Sequence, residues 1–133
     1  MCLTIPASIN PPKALIAKED IVCYKLLRKY YDGRIISPFQ NIPYTLNELV
    51  NIKKIEVIRR IGSTTIHAGL HSFGRQEDAF VCATHIFGMF EVFDYLVYKA
   101  IIPKGSKYYV GKFDCFNECY VSDALFVTDE ICA

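Results

Sequence analysis

The chain has 133 residues, of which 52% are hydrophobic and 22% charged, and 15 Lys and Arg balance 14 Asp and Glu to a formal net charge of +1. This composition excludes a disordered chain, and the length is typical of one domain. The near-zero charge gives no strong nucleic-acid signal and no attraction to a membrane surface. No apolar run approaches the about 18 residues of a membrane helix.

Charge is divided unevenly along the chain. Residues 1–60 hold ten basic and five acidic residues, a net charge of +5, whereas residues 61–133 hold five and nine, a net charge of −4. The two halves can complement each other within one fold or between the subunits of a homo-oligomer. We favour balance within one chain.

The cysteines and the N-terminus indicate a reducing compartment. The opening MCLTIPASINPPK has neither a basic segment nor a long apolar core, so we expect no signal peptide. Six cysteines would fit a disulfide framework by number, but their spacing is scattered. Cys23 and Cys82 lie in apolar segments, where a thiol behaves as a small hydrophobe. We therefore predict a cytoplasmic protein with reduced thiols.

The first half of the chain reads as an arm, a strand, a loop and a short helix. Residues 1–17 contain three prolines and little periodicity, which predicts an extended N-terminal arm, followed by one α+β domain over residues 18–133. The apolar stretch EDIVCYKLL, residues 19–27, predicts the first strand. After a loop over residues 28–43, Thr45 and Glu48 have capping-box spacing, which predicts a short helix to about Val50.

The second half predicts the sheet and its principal helix. Residues 53–61 and 64–73 alternate around a Gly-Ser turn, as in a hairpin. Residues 75–90 have a broad apolar stripe that includes Phe87, which predicts the main helix. We expect further strands over residues 92–102, 107–110 and 120–127, with a polar loop over residues 111–119. The predicted fold is α+β, with a mostly antiparallel sheet of about five or six strands packed on one main helix.

Three stretches carry a resemblance to known proteins: DIVCYKLL, GLHSF, and AIIPKGSKYYVG followed by YVSDALFVTDE. From Asp20 onward the chain resembles a group of small uncharacterised proteins of bacteriophages and of the gut bacteria that carry them. The resemblance implies a small accessory protein of the host-cell cytosol and no particular activity or cofactor. Because phage genes of this kind often counter host defence, we expect a non-enzymatic protein that binds a host protein or a small nucleotide signal. A minor virion protein is a further alternative.

A weaker similarity connects the chain with ADP-ribosyltransferases. Those enzymes place a polar residue on an early strand, a Ser or Tyr on a middle strand and a carboxylate near a late hairpin, and the nearest counterparts here are Tyr24, Ser72 and Glu118. No E-x-E or Q-x-E pair precedes Tyr120, and no Arg or His accompanies Tyr24 in the enzymes' pattern. A nucleotide-modifying enzyme is therefore the alternative hypothesis.

The histidines and cysteines do not suggest a metal site. His67 and His71 are four residues apart on a strand, which separates them by roughly 13 Å. The spacing of Cys115 and Cys119 is not the usual zinc spacing. Since no carboxylate or thiol stands at a nearby spacing to act as its partner, we interpret His71 as a structural or ligand-contacting group and not as a general base. We predict no catalytic residue, no metal and no cofactor.

The residues predicted to contact a ligand are polar groups and aromatic rings beside cations. Lys104 and Lys107 flank a tight turn that could hold a phosphate, although it is shorter than a phosphate loop. Tyrosine rings near cations suit the stacking of a nucleotide base. The predicted ligand-binding set is Tyr24, His71, Ser72, Lys104, Lys107 and Tyr109.

Overall fold

A computed structural model of the chain describes residues 3–6, 14–38, 40–60, 63–85, 94–113 and 115–131. Within these ranges the protein is mostly β, with one helix of 10 residues. The predicted α+β fold, with five or six strands packed on one main helix, is wrong, because thirteen strands form one curled antiparallel sheet. The reason is that segments expected to be loops or a helix pair with distant strands instead.

The described elements follow in chain order. They are β1 (Leu3–Pro6), β2 (Leu15–Ile16), β3 (Ile21–Lys29), β4 (Ile35–Ile36), β5 (Pro43–Tyr44), β6 (Leu49–Asn51), β7 (Glu56–Arg60), β8 (Ser63–Ala68), β9 (Leu70–Phe73), α1 (Gln76–His85), β10 (Asp94–Ile102), β11 (Lys107–Phe113), β12 (Phe116–Ser122) and β13 (Ala124–Ile131).

The sheet runs in the order β6-β13-β10-β3-β9-β12-β11-β1-β8-β7, with β2 beside β11 and β4 between β3 and β5. Two of its junctions are narrow. Among the described residues, a single pair, Tyr24 with Phe73, joins β3 to β9, and another, Thr4 with Lys112, joins β1 to β11. The sheet therefore consists of three blocks of well-paired strands that can turn relative to one another, which accounts for its curl.

The segment that resembles a capping box forms a turn instead of a helix. Glu48 donates its backbone N–H to the Thr45 carbonyl at 3.2 Å, and Asn47 has a φ of 61°. The Asn47 N–H donates to the Val127 carbonyl at 2.8 Å, and β6 then pairs with β13. Pairing with a distant strand outweighs the local helix signal, because it satisfies the same backbone groups and extends the sheet.

The predicted polar loop over residues 111–119 is also wrong. β11 continues to Phe113, and β12 begins at Phe116. The two rings lie 6.2 Å apart in a stacked arrangement, and both contact Phe73 edge-on. Aromatic side chains at strand-compatible positions thus outweigh the polar residues of the turn.

The helix is shorter than predicted and covers only part of one face. It begins at Gln76, ends at His85 and carries Glu77 and Asp78 in its first turn. Its buried residues Ala79 and Cys82 belong to the core cluster around Phe73. Residues 86–93, which include the predicted core residue Phe87, lie outside the described residues.

Two core clusters lie on opposite faces of the central strands. The first core surrounds Phe73 and takes Leu26 from β3, while the second core takes Cys23 and Leu27 from the same strand. Because side chains alternate along a strand, β3 supplies both cores and is covered on both faces. Its charged residue Lys25 shares the face of Cys23 and is therefore buried.

The N-terminal segment adds to the sheet at two places. β1 lies between β11 and β8, and Leu3 is fully buried in the first core. β2 is an exposed edge strand, with Leu15 and Ile16 about half accessible. Residues 7–13 of the predicted arm lie outside the described residues.

Gly69 separates β8 from β9, which the sequence predicts as one strand. Before this glycine the chain pairs with β1 and β7, which confirms the predicted hairpin, and after it the chain pairs with β12. Gly69 has a φ of 156°, and a Cβ at this position would lie 2.1 Å from Val121 Cγ1. The close approach of β12 therefore requires glycine here.

Gly69→Ala should destabilise the protein by about 3–5 kcal/mol, because the new methyl group overlaps Val121 and the backbone is strained. Gly33→Ala is the matched control, since Gly33 also has a positive φ of 88° but no heavy atom within 4 Å of its Cβ position. We expect the control to lose about 1–2 kcal/mol. Urea unfolding of the three proteins measures both losses, and equal losses would contradict the tight packing at Gly69.

Candidate functional site

An open cleft of about 800 Å³ lies beside the β3–β4 loop, β5, β10 and β13. Tyr44 and Tyr98 line its base and are 5% and 2% exposed. Lys29, Arg34 and Glu130 are exposed and lie around its rim. Small-molecule sites usually enclose about 300–1,000 Å³ and combine apolar walls with a few polar groups, so this cleft has the size of such a site.

Charges of both signs surround the cleft. Arg34 Nε donates to Asp32 Oδ2 at 2.6 Å, and the guanidinium lies 5.0 Å from the centroid of the Tyr30 ring. The Arg34 backbone N–H and then its guanidinium hold the pKa of Asp32 below its ordinary value. Since this pair is exposed, it adds little stability, and its charges remain accessible to a ligand.

A buried lysine lies directly behind the cleft. Lys25 of β3 is 4% exposed and pairs in register with Tyr98, which in turn pairs with Glu130. On the other side, the Tyr24–Phe73 pair sets Lys25 opposite Ser72 of β9. One row of side chains across four strands, from the cleft rim into the second core, thus contains Glu130, Tyr98, Lys25 and Ser72.

The Lys25 ammonium has few compensating partners. Its Nζ donates to the His71 carbonyl and lies 5.5 Å from the centroid of the Tyr44 ring. Lys25 takes part in neither of the ion pairs in the described part of the chain, which join Asp32 to Arg34 and Arg75 to Glu77. Burial lowers the pKa of Lys25 to about 8, because the interior disfavours an ammonium that has no carboxylate beside it.

Three more polar side chains are buried around Lys25, and they belong to Cys23, Tyr44 and Ser72. Burial raises the pKa of Cys23 to about 11, although the neighbouring Ser72 hydroxyl and Lys25 lower it in part. The Ser72 hydroxyl nevertheless makes no hydrogen bond of acceptable geometry within the described residues, and neither does the Tyr44 hydroxyl. Burial also raises the pKa of Tyr44, so both tyrosine and thiol stay protonated at neutral pH.

His71 is buried as a neutral ring. Its Nδ1 lies 3.0 Å from the Gly69 carbonyl oxygen, which can only accept, so we place the ring N–H at Nδ1. Gln40 Nε2 lies 3.3 Å from the same nitrogen but donates to the His67 carbonyl at 2.9 Å. The other ring nitrogen, His71 Nε2, therefore keeps its lone pair, and no described residue donates a hydrogen bond to it. Burial, followed by the nearby Lys25 charge, lowers the pKa of His71 to about 4.

The predicted ligand-contacting residues are only partly brought together. His71 and Ser72 lie beside Lys25, whereas Lys104 and Lys107 are exposed around the β10–β11 turn and do not line the cleft. Tyr24 and Tyr109 pack against the first core, on the face opposite Ser72. The site prediction itself stays a prediction, but its members fall on two faces and at two ends of the sheet.

The residues named for the transferase alternative do not converge either. Tyr24 faces the first core, whereas Ser72 shares the opposite face with Lys25. Glu118 is exposed, and its side chain packs close to Gly74. These positions offer no common point for a substrate.

Sequence reasoning missed Lys25, Tyr44, Tyr98 and the cleft. A signal for Lys25 was present, since it is the one charge within the apolar run IVCYKLL and stands at an inward-facing alternate position. The tyrosines carried no such signal, because Tyr occurs nine times in the chain and only tertiary structure selects two of them.

Comparisons with protein-family models, with curated proteins and with solved structures find no match. Within the described ranges, no group of three or more His, Cys, Asp and Glu side chains is placed to hold a metal ion. No helix in this part of the chain is long and apolar enough to cross a membrane.

Lys25→Met should stabilise the protein at pH 7 by about 1–3 kcal/mol. The buried ammonium costs up to about 3 kcal/mol, from the difference between pKa values of 10.5 and about 8, while the lost bond to the His71 carbonyl offsets part of the gain. Between pH 8 and 10.5 the folded wild type has released a proton that its unfolded state still binds. As the pH rises through this range, the stability of the wild type therefore increases relative to that of Lys25→Met, and the difference in unfolding free energy between the two proteins shrinks.

Chemical unfolding of both proteins at pH 7 and pH 10 measures this difference. Lys99→Met, at an exposed position of β10, is the control and should change stability by less than about 0.5 kcal/mol. A Lys25→Met protein less stable than wild type at pH 7 would show that the ammonium is compensated.

His71→Gln should flatten the acid side of the stability profile. Between pH 6.5 and 4 the unfolded wild type binds a proton at His71 that the folded protein excludes, so stability falls with pH. By pH 4.5 the wild type should lose about 2–3 kcal/mol more than the variant. His67→Gln, at an exposed position, serves as the control and should keep the wild-type dependence of stability on pH. Parallel profiles of stability against pH for all three proteins would rule out a neutral buried His71.

Proposed function

We propose that the protein binds a small nucleotide in the cleft above Tyr44 and Tyr98. The observation that carries this proposal is the cleft itself, about 800 Å³ in volume with two buried tyrosines at its base. Tyr44, Tyr98, Ile36 and Leu46 give the cleft apolar walls, which suit a flat base. A nucleotide also needs cations for its phosphate, and Lys29 and Arg34 supply them at the rim.

The acidic residues of the rim suit the neutral parts of such a ligand. Asp32 and Glu130 are exposed carboxylates that line the cleft. Ionised carboxylates only accept hydrogen bonds, so they match the hydroxyl groups of a sugar or the amino group of a base. Balanced charge at the rim therefore favours a ligand with a phosphate at one end and donors at the other.

The biological role that we attach to this binding is sequestration of a nucleotide signal by an accessory protein. The sequence resemblance to phage proteins supports it, and the cleft gives sequestration a location. Binding of a host protein is the other form that the resemblance suggests.

Lys29→Glu should weaken nucleotide binding at least tenfold, because it reverses a charge that lines the cleft while leaving an exposed side chain exposed. Isothermal titration with AMP, ADP and cyclic dinucleotides measures the dissociation constants. Lys104→Glu is the matched control, since Lys104 is exposed and lies outside the cleft, and it should bind as wild type does. Equal weakening in both variants would place the ligand elsewhere, and no binding of any of these compounds at 1 mM would exclude them as ligands.

A further inference from the structure

The buried ammonium of Lys25 is the feature that the proposed function leaves unexplained. An isolated charge in a protein interior is costly unless another charge and hydrogen bonds compensate it. In the part of the chain that the structure describes, Lys25 bonds to one carbonyl and faces one aromatic ring, and no carboxylate pairs with it. The described residues therefore hold a cation in place and supply no anion for it.

Cys23 does not fill the role of the missing anion. Its thiol lies on the same face of β3, two residues from Lys25, and could pair with the ammonium as a thiolate. Burial raises the pKa of this thiol to about 11, so it stays neutral at physiological pH. No described residue therefore supplies the counter-charge, and a bound anion can supply it.

The groups around Lys25 are donors without acceptors. An ammonium has three N–H groups, and the His71 carbonyl takes one of them. The hydroxyl groups of Ser72 and Tyr44 are buried, 2% and 5% exposed as residues, and make no hydrogen bond of acceptable geometry among the described residues, although the Cys23 thiol lies close to the Ser72 hydroxyl. Ser72 lies across from Lys25 in the sheet, and Tyr44 lies over it. The buried ammonium lies beside Ser72 and the Tyr44 ring, and N–H and O–H donors of this kind are what an oxyanion needs.

Tyr44 connects this position with the cleft, because it lines the cleft and its ring also faces Lys25. It belongs to β5, a strand of two residues that pairs only with β4, also of two residues. Because these strands are so short, movement of Tyr44 breaks few sheet hydrogen bonds.

We propose that Lys25, Ser72 and Tyr44 form an internal anion site beneath the cleft, which receives the phosphate group of the bound ligand. This inference rests on the proposed function only for the class of ligand, a nucleotide. The site itself does not depend on that function, since inorganic phosphate alone can occupy it. The phosphate oxygens accept from Nζ and from the two hydroxyls and supply the negative charge that Lys25 lacks. Lys29 and Arg34 at the rim then add to the positive potential that attracts the phosphate.

The first test uses inorganic phosphate at constant ionic strength and follows the melting temperature. Wild type should show a saturable increase, because a ligand that binds only the folded state stabilises it. Ser72→Ala should weaken phosphate binding about tenfold, as expected for the loss of one hydrogen bond to a charged group. Lys25→Met should abolish the saturable increase, whereas the exposed control Lys99→Met should keep it. A wild type without a saturable shift, or a Lys25→Met protein with the wild-type shift, would overturn the anion site.

A second measurement needs no variant and so does not depend on how Lys25→Met folds. In wild-type protein with ¹³C-labelled lysine, the Cε resonance of Lys25 reports its protonation. Phosphate should raise the pKa of Lys25 by at least one pH unit, because the bound anion favours the ammonium. An unchanged titration at saturating phosphate would also overturn the anion site.

Comparison of AMP with adenosine separates this inference from the proposed function. AMP should bind wild type at least tenfold more tightly than adenosine, and Lys25→Met should remove that preference. If AMP binds both proteins equally, the cleft binds nucleotides but the anion site is wrong. If phosphate acts through Lys25 while neither AMP nor adenosine binds, the anion site stands and a nucleoside ligand is wrong.

Discussion

The pairing of Tyr24 with Phe73 is the constraint on which the rest of the structure depends. It is the one described residue pair that joins β3 to β9, and it connects the block of β3, β10 and β13 with the block of β9, β12 and β11. Since side chains alternate along a strand, this pair sends Tyr24 and Phe73 into the first core and fixes Lys25 and Ser72 as neighbours on the other face. A shift of one residue would exchange the contents of the two cores.

The same constraint explains why polar groups accumulate in the second core. β9 and the middle of β3 are covered on both faces, so a polar side chain there is buried whichever way it points. His71 meets this situation by remaining neutral and donating to the Gly69 carbonyl. Lys25 donates to the His71 carbonyl, but no described carboxylate compensates its charge, and its position is the one that folding alone explains least.

The sequence predicted the strands well where aromatic and β-branched residues alternate, as in β3 and β10, and it located the hairpin of β7 and β8. It failed where a local signal competes with distant pairing: the Thr45 and Glu48 spacing is a genuine helix-start pattern, yet Asn47 bonds to Val127 instead. For the site, His71 and Ser72 were noticed because a polar pair in an apolar strand is conspicuous. The proximity of Tyr44 and Tyr98 to Lys25 depends on contacts between segments far apart in the chain, which no periodicity encodes.

The short strands β4 and β5 have a consequence for how tightly a ligand can appear to bind. They form one wall of the cleft and are held to the sheet at only two residues each among the described residues, so a population with this wall displaced would lose few backbone pairs. A ligand that requires this population binds with an apparent affinity reduced by the fraction of molecules that hold it. Substitutions in β4 or β5 that touch no ligand would therefore change the apparent affinity by changing this fraction. The effect would be larger for a ligand that reaches Lys25 than for one that remains at the rim.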